Sequence, residues 1–363
     1  MFKTASTFLA DALPRGSVKI HGCIDTRSAV EQRQGIFHPL HERRDPEIPL
    51  PCNLREQDRA FFERLRFVYC APTFLASLPN GAVCQDGVVL TSDGLICRDV
   101  SFASGFAMDA HPLLRQSLSR AKKRHNVAAV IASRGADCYY HWMLDILPRL
   151  ALLGESTYDT LVVPHALSYQ RETLKALGLH EKCAAPPRRA CRFYDTLLIP
   201  SLPGYSGMPT PDSIRFLQKC LGSKTAQGGK KLYISRGDAA KRKVVGEAGL
   251  VEELKTRGFE VCRLTGMPIA DQIELFANAD IVIAPHGASL TNVVFCKPGT
   301  AVIELFHPEY AHWCYWYLAA LSGLNYYYHL PPGPEAVRHD KHFAAADLSI
   351  DPKALIQLIE NIL

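Results

Sequence analysis

The sequence predicts an α/β protein of two tandem Rossmann-like domains behind a β-rich N-terminal lead-in. Three observations carry that expectation. From about residue 126 apolar strand-like runs alternate with helical patterns; between about 201 and 230 Gly, Pro and Ser interrupt the rhythm before it restarts; ahead of 125 short runs are separated by Asp-Gly turns. Alternation of this kind implies parallel sheets covered by helices, because a parallel connection needs a crossover long enough to hold one.

Taken in order, residues 1–125 are the lead-in. "HPLHERRDPEIPLPCNLREQDR" is proline-rich and charged, and "GAVCQDGVVLTSDGLICRDVSF" carries hairpin signals at Asp86-Gly87 and Asp93-Gly94. The α/β core of the first domain, 126–205, reads as strand "VAAVIAS", helix "DCYYHWMLDILPRLALLG", strand "TLVVPH", helix "SYQRETLKALGL" and strand "RFYDTLLIPS". A short helical pattern with Ile214, Phe216, Leu217 and Leu221 lies in the Gly/Pro/Ser break, so the first domain is placed at 1–215 and the second at 216–345. The second is the more regular, with strands "KLYIS", "FEVCRL", "DIVIAP", "TAVIELF" and "NYYYHL" joined by four helical crossovers. Residues 346–363 contain "DPKALIQLIENIL", whose apolar residues recur at helical spacing and are expected to pack back on the body.

Length and composition agree with this division. A chain of 363 residues exceeds a comfortable single core, and 47% hydrophobic with 21% charged residues is the balance of a soluble globular protein. The net charge of +5 is small, but basic clusters stand at Lys122-Lys123-Arg124-His125, Pro187-Arg188-Arg189 and Lys241-Arg242-Lys243. They read either as solvated surface or as a groove for an anionic donor, an anionic acceptor or a membrane. No aromatic-rich RNA-binding signature or finger spacing accompanies them, so no nucleic acid is expected as a partner. Twelve scattered cysteines without a C-x-x-C pair give no metal site of the ribbon or finger type, and read as reduced thiols of a cytoplasmic protein. "MFKTASTFLADALPRG" is too broken for a signal-peptide core, and no run of about 18 uncharged apolar residues spans a bilayer. Peripheral attachment at the inner face of the membrane stays open, as does the oligomeric state.

Ligands of open parallel sheets bind outside the carboxyl ends of the strands. Four groups of the second half stand there: Ser235-Arg236, Thr265-Gly266, Pro285-His286-Gly287 and Glu304. A helix starting at Ala288 would offer free N–H groups and its positive end to a phosphate, with Gly287 allowing close approach and Ser289 adding a hydroxyl. Arg236 with Lys241 or Arg242 could neutralise a departing diphosphate, and Glu304 could accept from ribose hydroxyls. Each also has a plainer reading: His286 as a turn residue, Ser289 as a helix start, Thr291 and Asn292 as surface, Glu304 as an edge charge. In the first half, "YYHWMLDILPRL" sets His141, Asp145 and Arg149 at i, i+4 and i+8 on one helix face, with Pro148 kinking the helix. They form either an exposed ladder or a cleft-facing base for an acceptor hydroxyl, with Trp142, Tyr139 and Tyr140 as sugar platforms or as core.

These motifs together resemble glycosyltransferase family 61, including its capsular polysaccharide biosynthesis proteins. The resemblance rests on "YYHWMLDILPRL" (139–150), "YISRGDAAKRKVVGE" (233–247) and "ADIVIAPHGASLTNVVFCKPGTAVIEL" (279–305), and leaves 1–125 unmatched. It implies the two-Rossmann GT-B architecture and an inverting, nucleotide-sugar-dependent hexosyl- or pentosyltransferase with no metal and no other cofactor. Carried over by position, Arg236 and Arg242 match the basic residues after the "SR" strand and Glu247 the acid opening the next helix. His286, Gly287, Ser289 and Asn292 match the "HGA.LTN" turn, Glu304 the acid closing the next strand, and His141 with Asp145 the "HW..D" element. Gly246 stands where many relatives carry Asn.

The expectation is therefore a transfer of sugar from a nucleotide-sugar held by the C-terminal domain to a hydroxyl of a cell-surface glycan or glycolipid held by the N-terminal one. Asp145 is the first choice as general base and His141 the second; an ion pair between Asp145 and Arg149 would weaken the former. Two rivals are a catalytically inactive glycan-binding or scaffold subunit and a nicotinamide-dependent oxidoreductase. The second lacks a G-x-G-x-x-G after a strand.

Overall fold

The computed structural model describes residues 16–101, 111–331, 333 and 335–363. The N-terminal stretch weighed as a signal peptide lies, up to residue 15, outside the described residues. Among the described residues the fold is α/β with two sheets, one of twelve strands and mixed, the other of five strands and parallel.

In the first sheet Cys183–Ala184, Thr160–Val162, Arg124–Val130 and Ala190–Pro200 lie side by side and parallel, as the alternating pattern predicts. The lead-in is not a separate module. Ala190–Pro200 is eleven residues long, and its far edge pairs antiparallel with Thr73–Pro79 and Ala82–Cys84, so the lead-in strands extend the same sheet. Both Asp-Gly turns form: Gly87 and Gly94 have φ of +99° and +97°. A side chain on Gly87 would collide with the Ala132 carbonyl.

The parallel sheet runs in the order Phe259–Cys262, Lys230–Ile234, Ala279–Pro285, Ala301–Leu305, Asn325–His329. The second strand in sequence thus lies outside the first, and the third pairs with the first on its other side. A doubly wound sheet binds ligands at the carboxyl ends where that order reverses. Period-two alternation then divides the apolar residues. Tyr233, Ile281, Ile283, Ile303 and Leu305 face a layer formed by Glu247–Thr256 and Pro352–Ile362. Leu355, Ile356 and Ile359 are buried there, each stabilising the C-terminal helix by about 1.5–3 kcal/mol. Leu232, Ile234, Val282, Ala284 and Val302 face the other way, toward Ile269–Ala277, Ala288–Phe295 and Cys314–Leu321.

That second layer is continuous with the first sheet's core. Lead-in residues 48–68 join it: Trp316 Nε1 donates to the Pro49 carbonyl (2.9 Å) and the Tyr317 hydroxyl to the Leu65 carbonyl (2.6 Å). Cys52 N–H donates to the Tyr326 carbonyl (2.8 Å), and Asn53 pairs through its amide with Tyr328 N–H and C=O (3.1 and 2.7 Å). The open edge of Asn325–His329 is thereby closed against further strand pairing.

Candidate active site

The strand end Ser235 leads into a loop that returns at Glu247. Glu247 holds it from beneath, accepting from Tyr233 Oη (2.8 Å) and Ser235 Oγ (3.0 Å), while Ser235 Oγ accepts from Gly237 N–H (3.1 Å). Ser235 and Glu247 therefore shape the loop, and Ser235 also lines the cleft beside it. Gly246, at the helix start, has φ of +69°; this is a conformation that Asn also adopts, so the Gly-for-Asn exchange keeps the backbone. Lys243 N–H donates to Asp347 (2.9 Å) and Val244 bridges to Leu348, which fixes Arg242 in a left-handed conformation with φ of +58°. A non-glycine residue held there is strained, as is common at functional sites.

Arg236 lies against Gly287, where any Cβ would strike its guanidinium. Glycine at 287 thus makes room for a cation. Arg236 Nη2 donates to the Lys241 carbonyl (3.2 Å); the Lys241 side chain itself is exposed. Burial first, and the neighbouring Arg242 charge second, push the Arg236 pKa below its ordinary value. Among the described residues no carboxylate pairs with either guanidinium, and the buried Nε atoms of Arg236 and Arg242 and the hydroxyl of Ser289 have no protein partner. The helix Ala288–Phe295 is a 3-10 helix whose Leu290 N–H bonds to the Gly287 carbonyl (2.9 Å), so the amides of Ala288 and Ser289 precede that bond at its positive end. Arg236, Ala288 and Ser289 border a cleft of about 410 Å³, which Ser235 and Thr265 line on the same wall and Tyr139, Tyr169 and Glu172 on the other.

His286 follows the third parallel strand. Its Nδ1 meets Glu304 Oε1, and Glu304 Oε2 accepts from Tyr326 Oη (2.6 Å). Glu304 is fully buried with both oxygens engaged. The expected ribose contact is therefore replaced: Glu304 orients His286 from behind. Asn292 is fully buried as well, donating to Gln272 Oε1 (2.9 Å) and accepting from Tyr139 Oη (2.7 Å). It ties the two halves together and does not reach a ligand.

A second histidine–carboxylate pair stands in the first half, where His141 Nδ1 bonds to Asp145 Oδ2 at 2.8 Å. Asp145 is buried and also accepts from Ser206 Oγ (2.8 Å) and Gly207 N–H (3.0 Å), whereas the His141 side chain is one-third exposed. The Asp145 bond raises the His141 pKa, against the opposing effect of burial. This reverses the order of the two candidate bases, because the enclosed carboxylate is spent on orienting the imidazole. The ring of His141 lies beside Gly135 and Gly207, both at positive φ. Tyr315 connects the pairs, its ring 5.5 Å from Tyr140 and 5.1 Å from His286.

The i, i+4, i+8 ladder fails at its third member. Residues Trp142–Ile146 form a π-helical turn in which Leu147 N–H reaches the Trp142 carbonyl five residues back (3.0 Å). The wider turn rotates Arg149 off the His141–Asp145 face. Arg149 is fully buried instead, donating to the carbonyls of Pro200 (2.6 Å), Ile131 (3.0 Å) and Ala132 (3.2 Å), and burial lowers its pKa to about 9. Trp142 is also core, with Nε1 bonded to Thr173 Oγ1 (2.9 Å), so it is no sugar platform.

Sequence reasoning missed Tyr326, Ser206 and Gly207. The last two lie in "PGYSGMP", which reads as linker, though Gly- and Ser-rich loops often carry function. Among the described residues no group of three or more His, Cys, Asp or Glu is placed to hold a metal ion, and no helix is long and apolar enough to cross a membrane.

The family model described as Glycosyltransferase 61 matches residues 139–303. The chain is similar to the EGF domain-specific O-linked N-acetylglucosamine transferase of Mus musculus, 38% identical over 90 residues (23% of this chain and 17% of the relative). It is 32% identical to that of Bos taurus over 148 residues (39% and 28%), and 33% identical to that of Drosophila melanogaster over 97 (26% and 18%). The chain thus spans well under a third of the length of these relatives. The matched stretch contains His141, Asp145, Arg236, Arg242 and His286, and over residues 139–303 the chain is similar to glycosyltransferase family 61.

Proposed function

We propose that the protein is an inverting glycosyltransferase of the GT-B type. On this reading residues 216–345 hold a nucleotide-sugar, and residues 1–215 hold the hydroxyl of a cell-surface or capsular glycan or glycolipid. One observation carries the reading: two adjacent guanidiniums, Arg236 and Arg242, have no carboxylate partner among the described residues and keep buried, unbonded Nε atoms where the strand order reverses. Like charges so placed repel each other unless an anion lies between them, and a diphosphate supplies the charge and the acceptor oxygens. Thr265 and Tyr169, farther along the cleft, border the space left for the nucleoside.

The chemistry follows from the two histidine pairs. His141, oriented by Asp145, takes the proton of the acceptor hydroxyl through Nε2. The acceptor oxygen bonds to the anomeric carbon as the bond from that carbon to the diphosphate oxygen breaks, which inverts the centre in one step. Charge developing on the diphosphate is met by Arg236, Arg242, the Ser289 hydroxyl, the amides of Ala288 and Ser289, and His286 backed by Glu304. Basic groups and a helix start thus serve the leaving group without a cation. A cytoplasmic site, with peripheral contact at the inner face of the membrane, suits such a donor and acceptor.

Purified protein incubated in EDTA with a panel of nucleotide-sugars, UDP-N-acetylglucosamine among them, should release nucleoside diphosphate in the presence of acceptor and be thermally stabilised by it. If no nucleoside diphosphate stabilises the folded protein, the reading fails. Stabilisation without turnover by any donor and acceptor pair would favour the inactive glycan-binding subunit.

A further inference from the structure

Resting on that transferase reading, we infer that loop 203–208 presents a sugar platform, the open face of Tyr205 receiving a pyranose ring of the glycan acceptor beside His141. Tyr205 is 61% exposed, although the loop around it is tied down. Ser206 and Gly207 bond to Asp145, the Gly207 carbonyl accepts from Tyr140 Oη (3.0 Å), and Met208 N–H closes the turn onto the Tyr205 carbonyl (2.9 Å). Met208 Sδ accepts from Trp313 Nε1 (3.4 Å). The residue next to Tyr205 therefore touches the carboxylate that orients His141.

One side of the ring is already supported. Tyr205 stacks on Tyr69 with centroids 4.7 Å apart and planes 30° from parallel, and the Arg43 guanidinium carbon lies 4.5 Å from the Tyr69 centroid. The exposure of Tyr205 thus belongs to its unstacked face. A flat, pre-oriented aromatic face with a hydroxyl at its rim suits the C–H face of a sugar, whose own hydroxyls stay in water.

An anionic membrane is the other occupant an exposed aromatic could serve, and the local charges disfavour it. Arg43 is paired with Asp45 (2.6 Å) and Arg66 with Glu47 (2.7 Å), while Arg44 (2.8 Å) and Arg215 (2.7 Å) share Asp212. Little uncompensated positive charge is left to attract lipid headgroups, whereas a neutral polyhydroxylated ligand needs none.

The test compares wild type, Tyr205→Ala, Tyr205→Trp and Tyr69→Ala on a printed glycan array. Thermal shift with UDP and GDP reports the donor site in parallel, and each variant's circular dichroism reports folding. Wild type and Tyr205→Trp should capture the same glycan class, Tyr205→Ala should lose about tenfold in affinity, and Tyr69→Ala should lose less. The nucleotide shift should stay unchanged in all four. Equal capture by Tyr205→Ala overturns the platform, as does wild type that binds nucleotide but no glycan. Pelleting with phosphatidylglycerol vesicles that depends on Tyr205 also overturns it, in favour of a membrane contact. Glycan capture that depends on Tyr205 in a protein that no nucleotide stabilises keeps the platform and removes the transferase reading.

Discussion

His141 and Arg236 divide the chemistry between a proton and a charge, and each makes its own prediction. Asp145 holds His141 protonated above the ordinary histidine value of 6.5, while a base must be neutral. Turnover should therefore rise with pH through an apparent pKa above that value. Asp145→Asn should move the rising limb to lower pH and lower the plateau, while His141→Ala should abolish turnover with nucleotide binding intact; a pH–rate profile reads both. The same raised pKa contributes stability below the unfolded-state value and loses it as pH rises through the folded one, so the part of the Asp145→Asn stability deficit owed to this pair shrinks at alkaline pH. Arg236→Ala removes charge-assisted hydrogen bonds of about 1.5–3 kcal/mol, or about 10- to 150-fold in nucleoside diphosphate affinity. Gly287→Ala should weaken binding in the same direction, because its methyl group takes the space of the Arg236 guanidinium. Titration calorimetry measures both.

The π-helical turn Trp142–Ile146 and the buried Arg149 that follows it hold the first sheet to the site. Arg149→Ala leaves the Pro200, Ile131 and Ala132 carbonyls without their donor and should destabilise the fold by about 2–4 kcal/mol, read as a lower denaturant midpoint. Arg149→Lys should recover little, since an ammonium cannot span three carbonyls set for a planar fork. At this scale the parallel strands were readable from their own residues: 232–234 of Lys230–Ile234 and 281–285 of Ala279–Pro285 are buried apolar runs that pass into small or basic groups. The pairing of His141 with Asp145 was readable too, since i, i+4 survives the wide turn, but Arg149 was not, because a π turn leaves no periodic signature. Nor was the purpose of Glu304. Its partner lies eighteen residues earlier, just past the end of the neighbouring strand, and only the register that sets Ala284 opposite Glu304 brings it to His286. The lead-in was opaque for the same reason, its strands completing a sheet whose host, Ala190–Pro200, comes more than a hundred residues later.

Across the whole molecule one apolar cluster runs from Ile48 through Trp142 and Phe276 to Tyr328, so both sheets share a core. Polar ties cross the cleft beside it: Tyr139 with Asn292, and Glu172 accepting from Ile269 N–H (2.7 Å). Calorimetric unfolding should show one transition in which both sheets melt together; two resolved transitions would mean that the shared core does not couple them. Nucleoside diphosphate at a hundred times its dissociation constant should raise that transition as about 2.7 kcal/mol of added stability. Whether Arg236 and Arg242 hold the diphosphate of a nucleotide-sugar is decided by calorimetric titration of UDP and GDP into wild type, Arg236→Ala and Arg242→Ala in EDTA. Wild type should bind saturably, and either substitution should weaken binding at least about tenfold. No binding by wild type, or equal binding by all three, would contradict that role.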